Sequence, residues 1–147
     1  MIVIPVTCAL IFLDKKVLCA QRSETMSLPG LWEFPGGKIE EGESPADCLI
    51  REIKEELAIS ISLVGSLQPN EHSYTEGKVV RLIPFVCSWE SGEITLLEHL
   101  DLQWLAREEL KVVNWAPADI PIVDHLFVNW NNIQKQLVDY KRENKNL

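Results

Sequence analysis

Two hydrophobic periods alternate along this chain. Residues 2 to 13 are dense in β-branched and aliphatic side chains, break at Asp14-Lys15-Lys16, and resume over Val17 to Gln21. That pattern predicts two strands joined by a short turn, with Pro5 at the start or an edge of the first. From Arg22 to Gly42 the chain is punctuated by Pro29-Gly30, Pro35-Gly36-Gly37 and Gly42, which predicts loop with one short strand around Leu31 to Phe34. Ser44-Pro45-Ala46-Asp47 then reads as a helix start, with Ser as N-cap and Pro in the first turn. The helix should run to about Leu57, with Ala46, Leu49, Ile50, Ile53 and Leu57 forming its buried stripe. Ile59 to Val64 and Val79 to Trp89 are β-rich, with Gly77-Lys78 as a turn before the second run, and Gln103 to Leu105 adds another strand. Asp119-Ile120-Pro121 opens a last helix whose apolar stripe is Ile122, Val123, Leu126, Phe127, Trp130, Ile133 and Leu137. The expected fold is α+β: one domain over residues 1–147, a mixed sheet with two main helices, and a polar tail from about Lys141 that frays.

Charge sharpens this picture. Of 147 residues, 22 are acidic and 14 basic, a net charge of −8. Residues 33 to 56 alone hold eight acids against three bases, so 3 − 8 = −5 of that excess lies in 24 positions. An acidic surface with no basic run argues against polymeric nucleic acid as a partner. Cys8, Cys19, Cys48 and Cys87 are widely spaced among apolar neighbours, without a CxxC pair, and read as buried reduced thiols. With no stretch long enough to span a membrane, the expected location is cytoplasmic, and the expected assembly is a monomer or homodimer.

The concentrated acid lies on the first helix. At 100° per residue, Glu55 and Glu56 fall at about −60° and about +40° from Glu52, so the three carboxylates share one face beside the apolar stripe. Glu52 and Glu56 are a like-charge i, i+4 pair, with only Arg51 and Lys54 near enough to offset them. A solvated acidic face is the simplest reading. The Gly-Gly turn and Glu43 ahead of the helix favour a second, in which clustered hard oxygens serve Mg²⁺ or Mn²⁺.

Gly37, five residues, Glu43, seven residues, then Arg51-Glu52-Ile53-Lys54-Glu55-Glu56-Leu57-Ala58-Ile59 resembles the Nudix box, G-x5-E-x7-R-E-U-x-E-E-x-G-U with U aliphatic. The one departure is Ala58 in the place of the last glycine. A left-handed alanine there costs roughly 1 to 2 kcal/mol. The resemblance continues outside the box: Gly30 to Lys38, Ala20-Gln21-Arg22, Glu98-His99 followed by Trp104, and Trp115 to Pro121 are similar to segments of MutT-type members, the last especially to CTP pyrophosphohydrolases.

The resemblance implies a Nudix fold, a mixed sheet between helices in an αβα sandwich, and metal-dependent hydrolysis of a nucleoside diphosphate linked to another group. The metal set it implies is the Gly36 carbonyl with Glu52, Glu55, Glu56 and, from a loop, Glu98. Glu52 is the first candidate for the base that takes the water proton and Glu98 the second, while Arg51 serves the catalytic group by orienting Glu43 or Glu55. Arg22 and Lys38 are candidates for the phosphates. Asp119 either accepts from a base N–H or amine, caps the last helix, or does both. Tyr74, Trp32 and Phe85 are available to stack on a base, with Tyr74 placed in the substrate set, and His72 and His99 read as loop histidines. The expected substrate is an oxidised or modified nucleoside triphosphate, such as 8-oxo-dGTP or a modified dCTP. ADP-ribose, dinucleoside polyphosphates or capped RNA are the alternative substrates, and a catalytically silent Nudix binding module is the alternative of another class.

Overall fold

The computed structural model describes residues 2–144. Strand β1 (Ile2–Leu13) turns through Asp14 and Lys15, both at positive φ, into β2 (Lys16–Gln21). Then follow β3 (Trp32–Glu33), β4 (Gly36–Lys38), helix α1 (Pro45–Leu57), β5 (Ser60–Ser66), β6 (Asn70–Thr75), β7 (Lys78–Ser91), β8 (Asp101–Leu105) and helix α2 (Ile120–Glu143). The sheet is mixed. β1 runs parallel to β7 from Ile2↔Lys78 to Phe12↔Ser88, and the other pairings are antiparallel. Pro5 lies within β1 rather than at its start, just before the stretch where β4 adds a second neighbour.

Alternation along β1 explains the layers. Cys8, Leu10 and Phe12 face a core closed by α2 through Leu126, Trp130 and Ile133, whereas Ala9 and Ile11 face a second core closed by α1 through Leu49, Ile53 and Leu57. Each fully buried Leu or Ile contributes roughly 1.5 to 3 kcal/mol. The result is the expected αβα sandwich, with the four cysteines buried and unpaired by disulfides.

The start of α1 is as expected: the Ser44 side chain accepts from the Asp47 amide. Its buried stripe differs, because Ile50 is 40% exposed and Cys48 and Glu56 take buried positions instead. Along α2 the stripe holds except at Phe127, which is half-buried beneath the Arg107 guanidinium. The helix also continues through Lys141 to Glu143, so the polar tail begins later than expected, and residues 145–147 lie outside the described residues. Strands β4 and β6 arise where the sequence pattern predicts none.

Candidate active site

Glycine determines how closely α1 approaches the sheet. A side chain at Gly36 would collide with the β1 backbone at Thr7, and one at Gly37 would occupy the space of the Glu52 carboxylate. The two residues therefore let β4 pass between β1 and the acidic face of the helix, a close approach that only glycine permits.

On that face the carboxylates are graded by burial. The Glu55 side chain is 55% exposed, Glu52 19% and Glu56 only 6%. Burial, reinforced by the charges of Glu52, Glu33 and Glu98, pushes the Glu56 pKa up to about 9 against a bond from the Gly36 amide. Burial also raises that of Glu52, against the pull of Arg51. Glu56 Oε2 is buried without a hydrogen-bond partner.

Arg51 gathers the rest. Its Nε and Nη2 donate to the two oxygens of Glu43 at 2.7 and 3.0 Å, and Nη1 donates to Glu52 at 3.0 Å and Glu55 at 3.2 Å. The bonds from Arg51 and the Glu40 amide hold the Glu43 carboxyl down at about 2. Arg51 is thus a positioning residue among the carboxylates, the arrangement its spacing suggests.

Beside this face opens a cavity of about 510 Å³, lined by residues that include Gly36, Gly37, Lys38, Arg22, Tyr74 and Asp119. Ile4 and Val6 of β1 with Val80 and Leu82 of β7 give it an apolar floor. Asp119 does not cap α2: its side chain makes no capping bond and instead accepts from the Phe34 amide at 3.0 Å. The pull comes from the segment before the helix, which is stitched to β3 by Trp32 N–H donating to Asn114 O and Ala116 N–H donating to Trp32 O, each at 2.8 Å. Burial, and then the nearby Glu33 charge, raise the Asp119 pKa well above its ordinary value.

The Tyr74 hydroxyl accepts from the Ala118 amide at 3.3 Å and holds the same segment from the β6 side. Phe85 packs in the α1 core and Trp32 in the α2 core, so neither lines the cavity; Phe34 does, stacked at a tilt on Trp115. Arg22 lies in the cavity wall, bonded to Glu33 and Ser27, and no partner holds the Lys38 ammonium among the described residues.

Two residues gain importance through a contact that their local sequence does not signal. His99 does lie on the loop before β8, but its side chain is fully buried, with Nε2 2.9 Å from Glu33 Oε2 and 4.0 Å from Glu56 Oε1. Glu33 bridges Arg22 and His99. His72 lies in β6 against Tyr74 and reaches none of these groups. Glu98, exposed on the segment before β8, is near enough for its charge to raise the pKa of both Glu52 and Glu56.

The NUDIX domain family matches residues 3–126. The chain belongs to the Nudix family. It is 37% identical over 121 residues to a CTP pyrophosphohydrolase of Escherichia coli K12, covering 82% of this chain and 89% of that one. It is 34% identical over 105 residues to a putative 8-oxo-dGTP diphosphatase 2 of Mycobacterium tuberculosis H37Rv, covering 70% and 73%. The solution structure of the DNA mismatch repair protein MutT, a Nudix hydrolase of methicillin-resistant Staphylococcus aureus 252, superposes with a TM-score of 0.72 at 47% identity, covering 88% and 99%. This chain is accordingly a Nudix hydrolase with the Nudix fold.

Nudix hydrolases generally use divalent metal ions, and the acidic face here fits them. Its hard carboxylate oxygens repel one another, and the most buried, Glu56 Oε2, has no partner from the protein. The carboxylates are not drawn into a closed cage, since among the described residues no three acidic, His or Cys groups form a preformed metal cluster. Arg51 accounts for this by holding Glu52 and Glu55.

Proposed function

We propose that this Nudix hydrolase converts a modified or oxidised nucleoside triphosphate, such as 8-oxo-dGTP or a modified dCTP, to the monophosphate and pyrophosphate in the cytoplasm. The carrying observation is the buried Asp119 carboxyl in a cavity of about 510 Å³ whose rim is the Gly36–Lys38 approach to the acidic helix. A base reaching Asp119 leaves its phosphates on the side of Lys38, Arg22 and the carboxylates. The four buried thiols, none in a disulfide, suit a reducing compartment.

Burial favours the neutral acid at Asp119, which offers one acceptor and one donor. Cytosine presents the complementary pair at N4–H and N3, and 8-oxoguanine at N7–H and O6. Unmodified guanine shows two acceptors on that second edge and satisfies only half of it. Those two bases are the ones that the names of the Escherichia coli and Mycobacterium relatives carry.

Glu52, Glu55, Glu56, the Gly36 carbonyl and Glu98 would hold Mg²⁺ or Mn²⁺. When bound, such ions neutralise the repulsion between carboxylates and phosphates and acidify water. Glu52 would take the proton of the attacking water, with Glu98 as the second choice. Arg51 keeps Glu52 and Glu55 oriented, and Lys38 and Arg22 bind phosphate oxygens. Tyr74 keeps the Asp119 segment against the base.

The test is a screen of purified protein with Mg²⁺ against normal and modified nucleoside triphosphates, ADP-ribose, dinucleoside polyphosphates and capped RNA in isotopically labelled water. Monophosphate and pyrophosphate, with label in one of them and preference for a modified base, are expected. Orthophosphate as the primary product, or faster cleavage of ADP-ribose, rejects the proposal.

A further inference from the structure

His99 touches neither the phosphate nor the base side of the cavity, yet its surroundings are unusually specific. Its side chain is wholly buried and its Nδ1 has no partner. The one close bond it makes is from Nε2 to Glu33 Oε2, at 2.9 Å. An ionised carboxylate only accepts, so Nε2 carries the hydrogen and donates. Glu33 is itself fixed from the other side by Arg22, whose Nη2 also donates to Ser27 Oγ at 3.0 Å.

The chain around His99 lacks any other anchor of this kind. Thr95, Leu96, Leu97, Glu98 and Leu100 are all exposed, and His99 is the one buried residue among them. Backbone bonds dock the segment at three points: Thr95 N–H donates to Leu57 O at 2.9 Å and Leu100 N–H to Gln21 O at 2.9 Å at its ends, and Leu97 N–H, within it, to Glu56 O at 3.4 Å. With its leucines facing solvent, the segment has little apolar burial to fix its course. The imidazole is the buried side-chain peg of the segment, one residue from Glu98.

We propose that His99 is a positioning residue, whose bond to the Arg22-held Glu33 fixes the 95–100 segment so that Glu98 is presented to Glu52 and Glu56. The inference rests on the assignment of Glu98 to the metal-binding set. Two roles follow for one side chain buried between the cavity and the acidic helix. It spaces Glu33 from Glu56, and it sets where the neighbouring Glu98 carboxylate can reach. Residues that orient metal ligands from behind typically account for about 10- to 100-fold in activity or metal affinity.

The experiment measures kcat, KM and Mn²⁺ affinity by calorimetry for E98Q, H99L, H99Q and the double variant E98Q/H99L, with thermal unfolding as a check on folding. H99L is expected to lower kcat about 10- to 100-fold with a smaller change in KM, and to weaken Mn²⁺ binding. H99Q, which can place an amide N–H near the position of Nε2, recovers most of both. On the E98Q background H99L costs little more, because the group it positions is already disabled. Additive losses, or H99Q no better than H99L, overturn the proposal while leaving the Glu98 assignment intact. If E98Q alone leaves kcat and Mn²⁺ affinity unchanged, the Glu98 assignment fails and the peg has no object. Should H99L not fold, E33Q takes its place: its loss in kcat must also be non-additive with E98Q, and additivity rejects the proposal.

Discussion

The Phe34 amide donates to Asp119 Oδ1 at 3.0 Å across 85 residues of chain, joining the approach to the acidic helix to the entry of α2. The bond occupies one lone pair of Oδ1 and leaves the second, together with Oδ2, for a ligand. Held as an acid, Asp119 is closely mimicked by Asn, which also offers one acceptor and one donor. D119N should therefore keep the base preference, whereas D119A should lose about 1 to 3 kcal/mol in kcat/KM for the preferred base, the scale of one good base contact, with little change for a poor substrate. Substrate ranking on both variants checks this. An unchanged ranking in D119A would remove Asp119 from base recognition.

The same residue fixes a pH dependence. Its folded pKa is raised above its ordinary value near 3.8, so the folded chain binds the extra proton. The stability it contributes is complete below 3.8 and is lost as pH rises toward the folded pKa. D119N cannot ionise and should gain on the wild type in Tm as pH is taken from 5 to 8. A constant difference in Tm over that range would mean that the carboxyl is already ionised at its site.

Glu56 is the carboxylate whose charge the metal-free protein tolerates least, being 5% exposed with one oxygen unpartnered and Glu52 one turn away. E56Q should lower activity by about 10- to 100-fold or more. Without metal it should raise Tm at pH 7, because Gln needs no proton to stay neutral in this buried place whereas Glu56 must take one up. Added Mg²⁺ should reverse the order, since the wild type gains binding energy that the variant forfeits. Unfolding curves with chelator and with Mg²⁺ decide it, and parallel responses of the two proteins would exclude Glu56 from the metal set.

What the linear pattern made legible was local. Strand β1, the Ser44 cap, the extent of α1 and the 3.6-residue spacing of its carboxylates depend on neighbours within a few turns, and all are readable without tertiary information. Strand β4, Gly36-Gly37-Lys38, has no strand propensity of its own; it pairs because absent side chains admit it between Thr7 and Glu52. Strand β6, Asn70–Thr75, is mostly exposed and polar, and it is strand because β7 offers an edge. Asp119 before Ile-Pro looks like a cap until Phe34 arrives from far along the chain. Glu33 and His99 each lie in a segment that resembles MutT-type members, but their pairing is legible in neither, since it is a contact 66 residues apart. The box could be read from spacing, whereas the cavity wall required the fold.

Arg51 and Glu43 give a second pH prediction, of opposite sign. The Glu43 carboxyl is held at about 2, chiefly by its two bonds from Arg51. A depressed acid contributes stability above its unfolded pKa, and that stability is lost as pH falls through the folded value. R51K replaces a two-pronged donor by a point charge, so it should lower Tm at pH 7. The gap should close as pH falls from about 4.5 toward 2, where the partner becomes protonated. It should also lower kcat, because Glu52 and Glu55 lose the same fork. A gap in Tm that stays constant through the acid range would show that the Glu43 pair does not stabilise the loop ahead of α1.

Ala58 closes α1 in the left-handed region, at φ 61° and ψ 28°, with its amide bonded to the Lys54 carbonyl at 3.0 Å. In the Nudix box this position is glycine, for which the conformation carries no side-chain penalty. The methyl group costs roughly 1 to 2 kcal/mol here, partly offset because glycine makes the unfolded chain more flexible by about 0.4 to 1 kcal/mol. A58G should therefore stabilise the protein by a net ~0.5 to 1 kcal/mol, about 1 to 4 °C in Tm at this chain length. A58V should lose more than A58G gains, since a β-branched residue is strained further at positive φ. Activity should be unchanged in A58G, because the cap follows the last box carboxylate and its amide is bonded to the Lys54 carbonyl. Thermal unfolding of the two variants, with kcat measured alongside, checks the account. A lower Tm in A58G would show that packing around the Ala58 methyl outweighs the backbone strain.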